Sequence, residues 1–265
     1  MEYFGISDIG KIRTINEDCY YADGNLFIIA DGMGGHNAGE IASSKAIEFF
    51  LNSFRQIVNS KFNEKTIDTK KQNLTRNYAE EKLLIDFSED EIQKSLKKAL
   101  KIANKKLYKL SLENEEYSGM GTTFTSLFVN NNIGYVIHVG DSRLYLSREN
   151  ELNLLTEDHT LVFQLYKNGI ISYEETFSHP QRNYLTSVIG ENEIPALESL
   201  KFYPKDKDII LLCSDGLNSM LEDFAIKKII DKNKNYSSEK IANSLLSEAL
   251  KNGGYDNITI IIIKI

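Results

Sequence analysis

The chain has 265 residues, 42% of them hydrophobic, and a formal net charge of −7. This length suits one large domain with a substantial buried core, and the composition carries no signature of disorder. The acidic balance argues against a general surface for nucleic acid or anionic membranes, so any phosphate group must be attracted locally by a cation or a single arginine. Two cysteines without metal-ligand spacing indicate free thiols in a reducing compartment. With no apolar leader and no apolar run long enough to span a bilayer, we expect a cytoplasmic protein without membrane insertion.

Several apolar runs have the length and residue types of β-strands. They cover residues 3–7, 26–30, 122–129, 133–139, 144–147, 151–155, 197–203, 209–213 and 258–265. Short polar turns at 130–132 and 148–150 join some of these runs. Such short connections favour antiparallel pairing over parallel crossovers.

Helical periodicity predicts a helix over 38–54, a second one that opens at a Ser-Glu-Asp-Glu capping box at 88–91, and a late one over 237–251. Helices that are grouped, not alternating with the strands, indicate an α+β fold with one domain over 1–265. Between the first two helices, residues 57–87 are polar and lack periodicity. We interpret them as a solvated insertion, with an irregular helical excursion or a docking segment as the alternatives.

Four acidic segments lie where an apolar run meets a glycine turn. They are Asp31-Gly32-Met33-Gly34-Gly35, Gly140-Asp141-Ser142-Arg143, Ser214-Asp215-Gly216 and Gly253-Gly254-Tyr255-Asp256-Asn257. One Asp-Gly turn is an ordinary hairpin signal. Four such segments, each with an aspartate at a strand end, suggest one cluster of hard oxygen ligands for divalent cations.

The order of the motifs resembles the bacterial branch of the metal-dependent type 2C serine/threonine protein phosphatases. The matching motifs run in order from Arg13-x-x-x-Glu17-Asp18 through Ala30-Asp31-Gly32-Met33-Gly34-Gly35-His36, Gly121-Thr122-Thr123, Val139-Gly140-Asp141-Ser142-Arg143, Leu155-Thr156-Glu157-Asp158-His159-Thr160, Leu185-Thr186 to Gly190 and Ser214-Asp215-Gly216-Leu217 to Asp256-Asn257-x-Thr259. The resemblance implies a central sandwich of two antiparallel β-sheets flanked by α-helices. It also implies hydrolysis of phosphoserine and phosphothreonine in proteins by direct attack of a water or hydroxide that bridges two metals.

The resemblance assigns a role to each acidic motif. Asp31 would bridge two tightly bound Mn²⁺ or Mg²⁺ ions, and the Gly32 carbonyl would bind one of them. Asp215 and Asp256 would bind the second ion, while Asp141 with Asp215 would hold a weaker third one. The absence of a His/Cys cluster at these positions agrees with oxygen-binding metals.

Four further residues support that site in the resemblance. Glu17 and Asp18 would hold metal-bound waters, and Asn257 would support Asp256. Arg13 would clamp the phosphoryl oxygens with its planar fork.

The chain departs from eukaryotic members of the family at one position. They carry a histidine directly after the metal-binding Asp-Gly, proposed as the general acid, and this chain has Met33 there. A thioether cannot donate a proton, so His36 or a metal-bound water would protonate the leaving group.

Structural roles are predicted for the remaining polar residues of the motifs. Arg143 would hold loop geometry, His138 would be a hydrogen-bonded core imidazole, and His159 would belong to a helix-capping motif. Residues 161–184 match the flap segment that varies within the family. Its residues 179–182 would either contact the phosphoprotein or form a turn.

Two other functions stay open from the sequence. One is a phosphatase specialised for a sigma-regulatory antagonist protein, and the other is a catalytically dead scaffold that binds phosphoproteins. The leading prediction is a monomeric protein phosphatase that acts on phosphorylated proteins and opposes a cognate bacterial-type Ser/Thr kinase.

Overall fold

A computed structural model describes residues 1–34, 38–68, 87–192 and 196–265, with the backbone alone over 62–68. Its strands are β1 (Glu2–Asp8), β2 (Asp18–Asp23), β3 (Leu26–Met33), β4 (Gly121–Thr122), β5 (Phe124–Asn130), β6 (Ile133–Val139), β7 (Arg143–Arg148), β8 (Glu151–Leu154), β9 (Glu198–Phe202), β10 (Ile209–Cys213) and β11 (Ile258–Lys264). Its α-helices are α1 (Gly39–Asp68), α2 (Glu89–Glu113), α3 (Leu161–Lys167), α4 (Tyr173–Ser178), α5 (Asp215–Asn218), α6 (Asp223–Asn233) and α7 (Ser238–Lys251).

The strands form two antiparallel sheets. The first has the order β1-β11-β10-β7-β8, and the second has the order β2-β3-β5-β6-β9 with β4 paired to β3. Every inter-strand pairing among the named strands of the described chain is antiparallel. The predicted antiparallel organisation is therefore confirmed.

Three clusters of buried apolar residues hold the layers together. Side chains alternate between the two faces of a strand, so each sheet has one face toward the other sheet. The cluster between the two sheets includes Phe27, Ile29, Leu212 and Ile261. The opposite face of the second sheet packs on α1 and α2, and that of the first sheet packs on α6 and α7. The result is the predicted sandwich of two sheets flanked by helices.

Helix α1 is longer than the sequence predicts. The expected end near residue 54 is wrong, because the apolar stripe continues through Ile57 and Val58, which are buried against the second sheet together with Phe54. Phe87, at the other end of the predicted insertion, is also buried in this cluster. The two ends of the 57–87 segment thus belong to the core, while residues 69–86 lie outside the described residues.

Some elements had no sequence prediction. The sequence does not predict strand β2, because Asp-Cys-Tyr-Tyr-Ala-Asp is not an apolar run. It does not predict helix α6 either, whose buried apolar residues are Ile226 and Ile230. The flap segment contains the two short helices α3 and α4. None of the helices in the described portion is long and apolar enough to cross a membrane.

Candidate metal centre

Asp31 stands at the centre of the acidic cluster, near the end of β3. Its backbone is fixed by the Gly121-Thr122-Thr123 motif: the Asp31 N–H donates to Thr123 Oγ1 (2.9 Å), and the Asp31 carbonyl accepts from Thr122 Oγ1 (2.8 Å) and Thr123 N (2.9 Å). The motif therefore holds the aspartate in place and contributes no acid of its own. Across the sheet, Asp31 pairs in register with Asp18 of β2.

The structure brings the predicted metal-binding aspartates together around Asp31. Burial raises the pKa of Asp31 well above its usual range, and the charges of Asp18, Asp215, Asp141 and Asp256 raise it further. Burial likewise raises the pKa of Asp215 to about 6, with Asp256 adding to the shift. Because like charges at short range oppose ionisation, this clustering is costly without a compensating cation.

The other aspartates reach the cluster from strand ends. Asp215 is the first residue of α5, separated from the end of β10 by Ser214 alone, and Asp141 lies in the turn between β6 and β7. Gly140 at that turn has φ +109°, a conformation that favours glycine. The pKa of Asp141 is raised well above its usual range by burial and by Asp215, although Arg143 opposes the shift.

The carboxylate of Asp18 is only half satisfied by hydrogen bonds. Its Oδ2 accepts hydrogen bonds from Ser214 Oγ (2.7 Å) and Thr259 Oγ1 (2.6 Å). Its Oδ1 is buried and has no hydrogen-bond partner among the described residues. Burial raises the pKa of Asp18 to about 7. A buried oxygen acceptor without a partner, among four other carboxylates, fits the environment of a divalent cation and its waters.

Gly32 has no room for a side chain. A Cβ at this position would overlap the carbonyl oxygens of Gly39 and Glu17. The Gly32 N–H also donates to Glu17 O (3.1 Å). The glycine therefore allows β3, the start of α1 and the Arg13-bearing loop to meet beside Asp31.

Arg13 lies over Asp256. Its Nε and Nη2 contact the two carboxylate oxygens at 2.9 and 3.0 Å, and its Nη1 is 3.8 Å from Glu17 Oε2. The hydrogen bond to Asp256 is the largest cause of the raised pKa of Arg13. Burial raises the pKa of Glu17, which Arg13 partly opposes.

Asn257 organises the loop that carries Arg13. Its side-chain Oδ1 accepts from Glu17 N (2.8 Å), and its Nδ2 donates to Ile9 O (3.0 Å) and Ile15 O (3.0 Å). The amide is 4% exposed, so these bonds are shielded from water. The predicted role of Asn257 beside Asp256 does not include these bonds, because a lone asparagine in the sequence carries no signal for them.

His36 lies outside the described residues. Met33, which occupies the position of the eukaryotic histidine, ends β3 and is 36% exposed. Arg143 is buried and binds Asp158 through Nε and Nη2, which agrees with its predicted structural role.

A second group of ligand-type atoms lies apart from the aspartates. Side-chain atoms of His138, His159 and Glu198 lie within 4.8 Å of one another. His138 uses both ring nitrogens in hydrogen bonds, to Thr125 Oγ1 (2.8 Å) and Glu157 O (3.0 Å). It is therefore the satisfied core imidazole that the sequence predicts, and burial lowers its pKa to about 3.

Comparison with known proteins agrees with this geometry. The family model described as protein phosphatase 2C matches residues 14–251. The chain belongs to this family. It is 32% identical to the serine/threonine phosphatase stp of Listeria welshimeri, over 97% of this chain and 93% of that protein. It is also 32% identical to the protein phosphatase PhpP of Streptococcus pneumoniae, over 99% of this chain and 97% of that protein.

Solved structures of the family share the fold. A serine/threonine phosphatase from S. agalactiae superposes with a TM-score of 0.81 at 31% identity, covering 100% of this chain and 99% of that one. The catalytic domain of the phosphatase PstP in complex with two manganese ions superposes with a TM-score of 0.76 at 29% identity, covering 98% of this chain and 96% of that one. The chain is a serine/threonine protein phosphatase of the bacterial 2C type.

Proposed function

We propose that this protein phosphatase uses two Mn²⁺ or Mg²⁺ ions held by Asp31, the Gly32 carbonyl, Asp215 and Asp256, with a weaker third ion at Asp141. The observation that carries the proposal is the convergence of Asp18, Asp141, Asp215 and Asp256 on the buried Asp31. Burial raises the pKa of Asp31, and these four charges raise it further. A cluster of this kind is stabilised when cations replace the protons. Oxygen donors without sulfur or imidazole suit Mg²⁺ and Mn²⁺.

The cations, when bound, would neutralise the phosphoryl oxygens and lower the pKa of water for attack on phosphorus. The side chains of the protein position the centre and orient the water. Asp31 holds the centre through a backbone fixed by Thr122 and Thr123. Asp18 and Glu17 offer carboxylate oxygens that accept hydrogen bonds from water and so orient it.

Arg13 would bind the phosphoryl group of the substrate. Its guanidinium already holds a carboxylate through two nitrogens, Nε and Nη2, and the same two donors match two phosphoryl oxygens. About half of the side chain is open to solvent, at 47% exposure, so an incoming phosphopeptide can reach it.

The biological setting follows from the chemistry. Phosphoserine and phosphothreonine in proteins are made by kinases, so we place this enzyme opposite a bacterial-type Ser/Thr kinase. We further propose that it acts as a monomer in the cytoplasm, where the free thiols of Cys19 and Cys213 stay reduced.

The test is metal-dependent turnover of a phosphothreonine peptide. Asp31→Asn is expected to lower kcat by about a hundredfold or more, because one carboxylate serves both ions. Asp206→Asn, which changes an exposed acid outside the centre, serves as the matched control. Full activity of the wild-type protein in EDTA would overturn the proposal.

A further inference from the structure

His159 forms hydrogen bonds with both backbone polar groups of Gly140. The His159 backbone N–H donates to Gly140 O (2.7 Å), and the Gly140 N–H donates to the His159 ring nitrogen Nδ1 (3.2 Å). Gly140 directly precedes Asp141. The histidine is thus attached to the backbone that sets the position of this aspartate.

The contact defines the protonation state of the ring. A backbone N–H can only donate, so Nδ1 of His159 must carry a lone pair and the ring proton must lie on Nε2. Burial lowers the pKa of His159, which favours the neutral ring that this contact needs. The ring packs on that of His138 with centroids 4.9 Å apart.

The neighbouring hydrogen bonds exclude His138 as a metal ligand in this arrangement. The carbonyl of Glu157 can only accept, so the His138 Nε2 must donate to it, and its Nδ1 faces Thr125 Oγ1. Glu198 is occupied as well, since its Oε2 accepts from Glu157 N (3.1 Å). The group formed by these side chains and His159 is therefore a hydrogen-bonded brace beside the turn.

The other end of the turn has its own attachment. Arg143 binds Asp158 through Nε (3.0 Å) and Nη2 (2.7 Å), with both side chains largely buried. Two adjacent residues, Asp158 and His159, thus hold the two ends of the 140–143 turn. Such restraint matters because Gly140, with its positive φ, has few conformational limits of its own.

The same segment continues into the base of the flap. The His159 carbonyl accepts from Thr186 N (2.8 Å), and the Leu161 N–H donates to Tyr184 O (2.9 Å). Helix α3 begins at Leu161. The segment around His159 therefore contacts the Asp141 turn on one side and the flap on the other, through hydrogen bonds that do not involve the Asp141 side chain.

We propose that His159 is a positioning residue for Asp141: by accepting the Gly140 N–H at Nδ1, it fixes the turn in the conformation in which Asp141 can bind a divalent cation. The inference rests on the proposed function of Asp141 as a metal ligand. It assigns to the histidine of the Thr156-Glu157-Asp158-His159 motif a role beyond helix capping. The capping itself belongs to Thr160, whose Oγ1 accepts from Phe163 N.

The test compares two substitutions of His159 that differ in one acceptor. His159→Asn places an amide oxygen near the position of Nδ1, whereas His159→Leu fills similar space without an acceptor. His179→Leu is the matched control, because His179 Nδ1 also accepts a backbone N–H, that of Gln181 (3.1 Å), within the flap. The first readout is amide hydrogen exchange at Gly140 in metal-free protein, and the second is the Mn²⁺ concentration needed for half-maximal hydrolysis of a small aryl phosphate.

In His159→Leu we expect Gly140 exchange to rise about tenfold, the effect of one lost hydrogen bond. We expect the Mn²⁺ requirement of this variant to rise several-fold. His159→Asn should restore both quantities to within about threefold of wild type, and His179→Leu should leave Gly140 exchange unchanged. Asp141→Asn, measured in parallel, reports whether this aspartate binds Mn²⁺ at all.

Two results would overturn the inference. Unchanged Gly140 exchange in a folded His159→Leu protein would show that the histidine does not hold the turn. Faster exchange with an unchanged Mn²⁺ requirement would show that the turn does not position a ligand. Neither result touches the proposed function of Asp31, whereas an Asp141→Asn protein with a wild-type Mn²⁺ response would remove Asp141 from the metal site.

Discussion

Arg13 and Asp256 form a two-point ion pair at the mouth of the aspartate cluster, with Nε–Oδ1 at 2.9 Å and Nη2–Oδ2 at 3.0 Å. The residue proposed to clamp phosphate is thus bound to a residue proposed to bind metal. Both carboxylate oxygens of Asp256 are engaged by the guanidinium. A metal ion that binds Asp256 would free Arg13 to bind phosphate, and a phosphate that binds Arg13 would free Asp256 to bind the metal. Metal binding and phosphate binding should therefore favour one another.

Removing Arg13 therefore tests two consequences together. Arg13→Ala should raise KM for a phosphopeptide about tenfold or more, because charge-assisted hydrogen bonds to the phosphoryl group are lost. The Mn²⁺ affinity should be retained or increased, since Asp256 loses a competitor. Steady-state kinetics and a Mn²⁺ titration measure the two quantities, and Lys11→Ala, a cation on the same loop, is the control. An unaltered kcat/KM in Arg13→Ala would show that Arg13 does not bind the phosphoryl group.

Asn257 offers a test of how the Arg13 loop is held. Asn257→Asp would turn the donor that faces the carbonyls of Ile9 and Ile15 into an acceptor, which should destabilise the fold by about 1–3 kcal/mol. It should also raise KM for a phosphopeptide, because the loop that carries Arg13 loosens. Urea unfolding and kinetics measure the two effects.

The matched control for that substitution is Asn233→Asp. Asn233 also donates its amide to a backbone carbonyl, that of Ile229 at 2.8 Å, but on helix α6. This variant should lose stability without a change in KM. A similar KM increase in both variants would refute the specific role of Asn257.

Four acids of the centre, Asp31, Asp141, Asp215 and Asp256, could be predicted from the sequence because each lies where an apolar run meets a glycine turn. Asp18 has no such setting and is predicted only through the family resemblance. Its hydrogen-bond partners could not be predicted, because Ser214 and Thr259 are distant in sequence from Asp18 and have no distinguishing spacing. The sandwich could be predicted from apolar runs and short turns. Strand β2 could not, because its sequence Asp-Cys-Tyr-Tyr-Ala-Asp is neither an apolar run nor a regular alternation of polar and apolar residues.

The end of helix α1 shows why composition misled the prediction. Ile57 and Val58 stand among polar residues, but they continue the buried stripe of Phe50 and Phe54. Ile57→Ala should lower the free energy of unfolding by about 2–4 kcal/mol. The exposed neighbour Gln56→Ala should change it by less than about 0.5 kcal/mol. If both substitutions change the free energy of urea unfolding by the same small amount, Ile57 belongs to a solvated insertion and not to the core.

His36 and a metal-bound water are the two candidates for protonating the leaving group. Small aryl phosphates have acidic leaving groups that depart without a proton, whereas serine and threonine alkoxides do not. If His36 is the general acid, His36→Ala should slow phosphopeptide hydrolysis by about a hundredfold and aryl phosphate hydrolysis only slightly. If it orders the glycine loop or the metal-bound waters, both substrates should suffer equally, so kcat for the pair decides between these roles.

The raised pKa of Asp18 makes the stability of the metal-free protein depend on pH. Its pKa moves from the ordinary 3.8 to about 7 because the carboxyl is buried. Between these values the folded protein keeps a proton that the unfolded chain has released, so raising the pH weakens folding in this window. We expect the free energy of unfolding in EDTA to fall by roughly 3–4 kcal/mol between pH 4 and pH 7.5, with Asp18 and Asp215 contributing together.

Two measurements check the sign of this pH dependence. Asp18→Asn cannot ionise, so its urea-unfolding free energy in EDTA should fall less steeply with pH than that of the wild type. Because bound cations must displace the same protons, the apparent Mn²⁺ affinity of the wild type should rise from pH 6 to pH 7.5. Wild-type stability that rises with pH across this window in EDTA, or equal slopes for the two proteins, would show that Asp18 is already ionised in the folded state. Its unpartnered Oδ1 would then be a buried charge that the neighbouring residues stabilise without a metal.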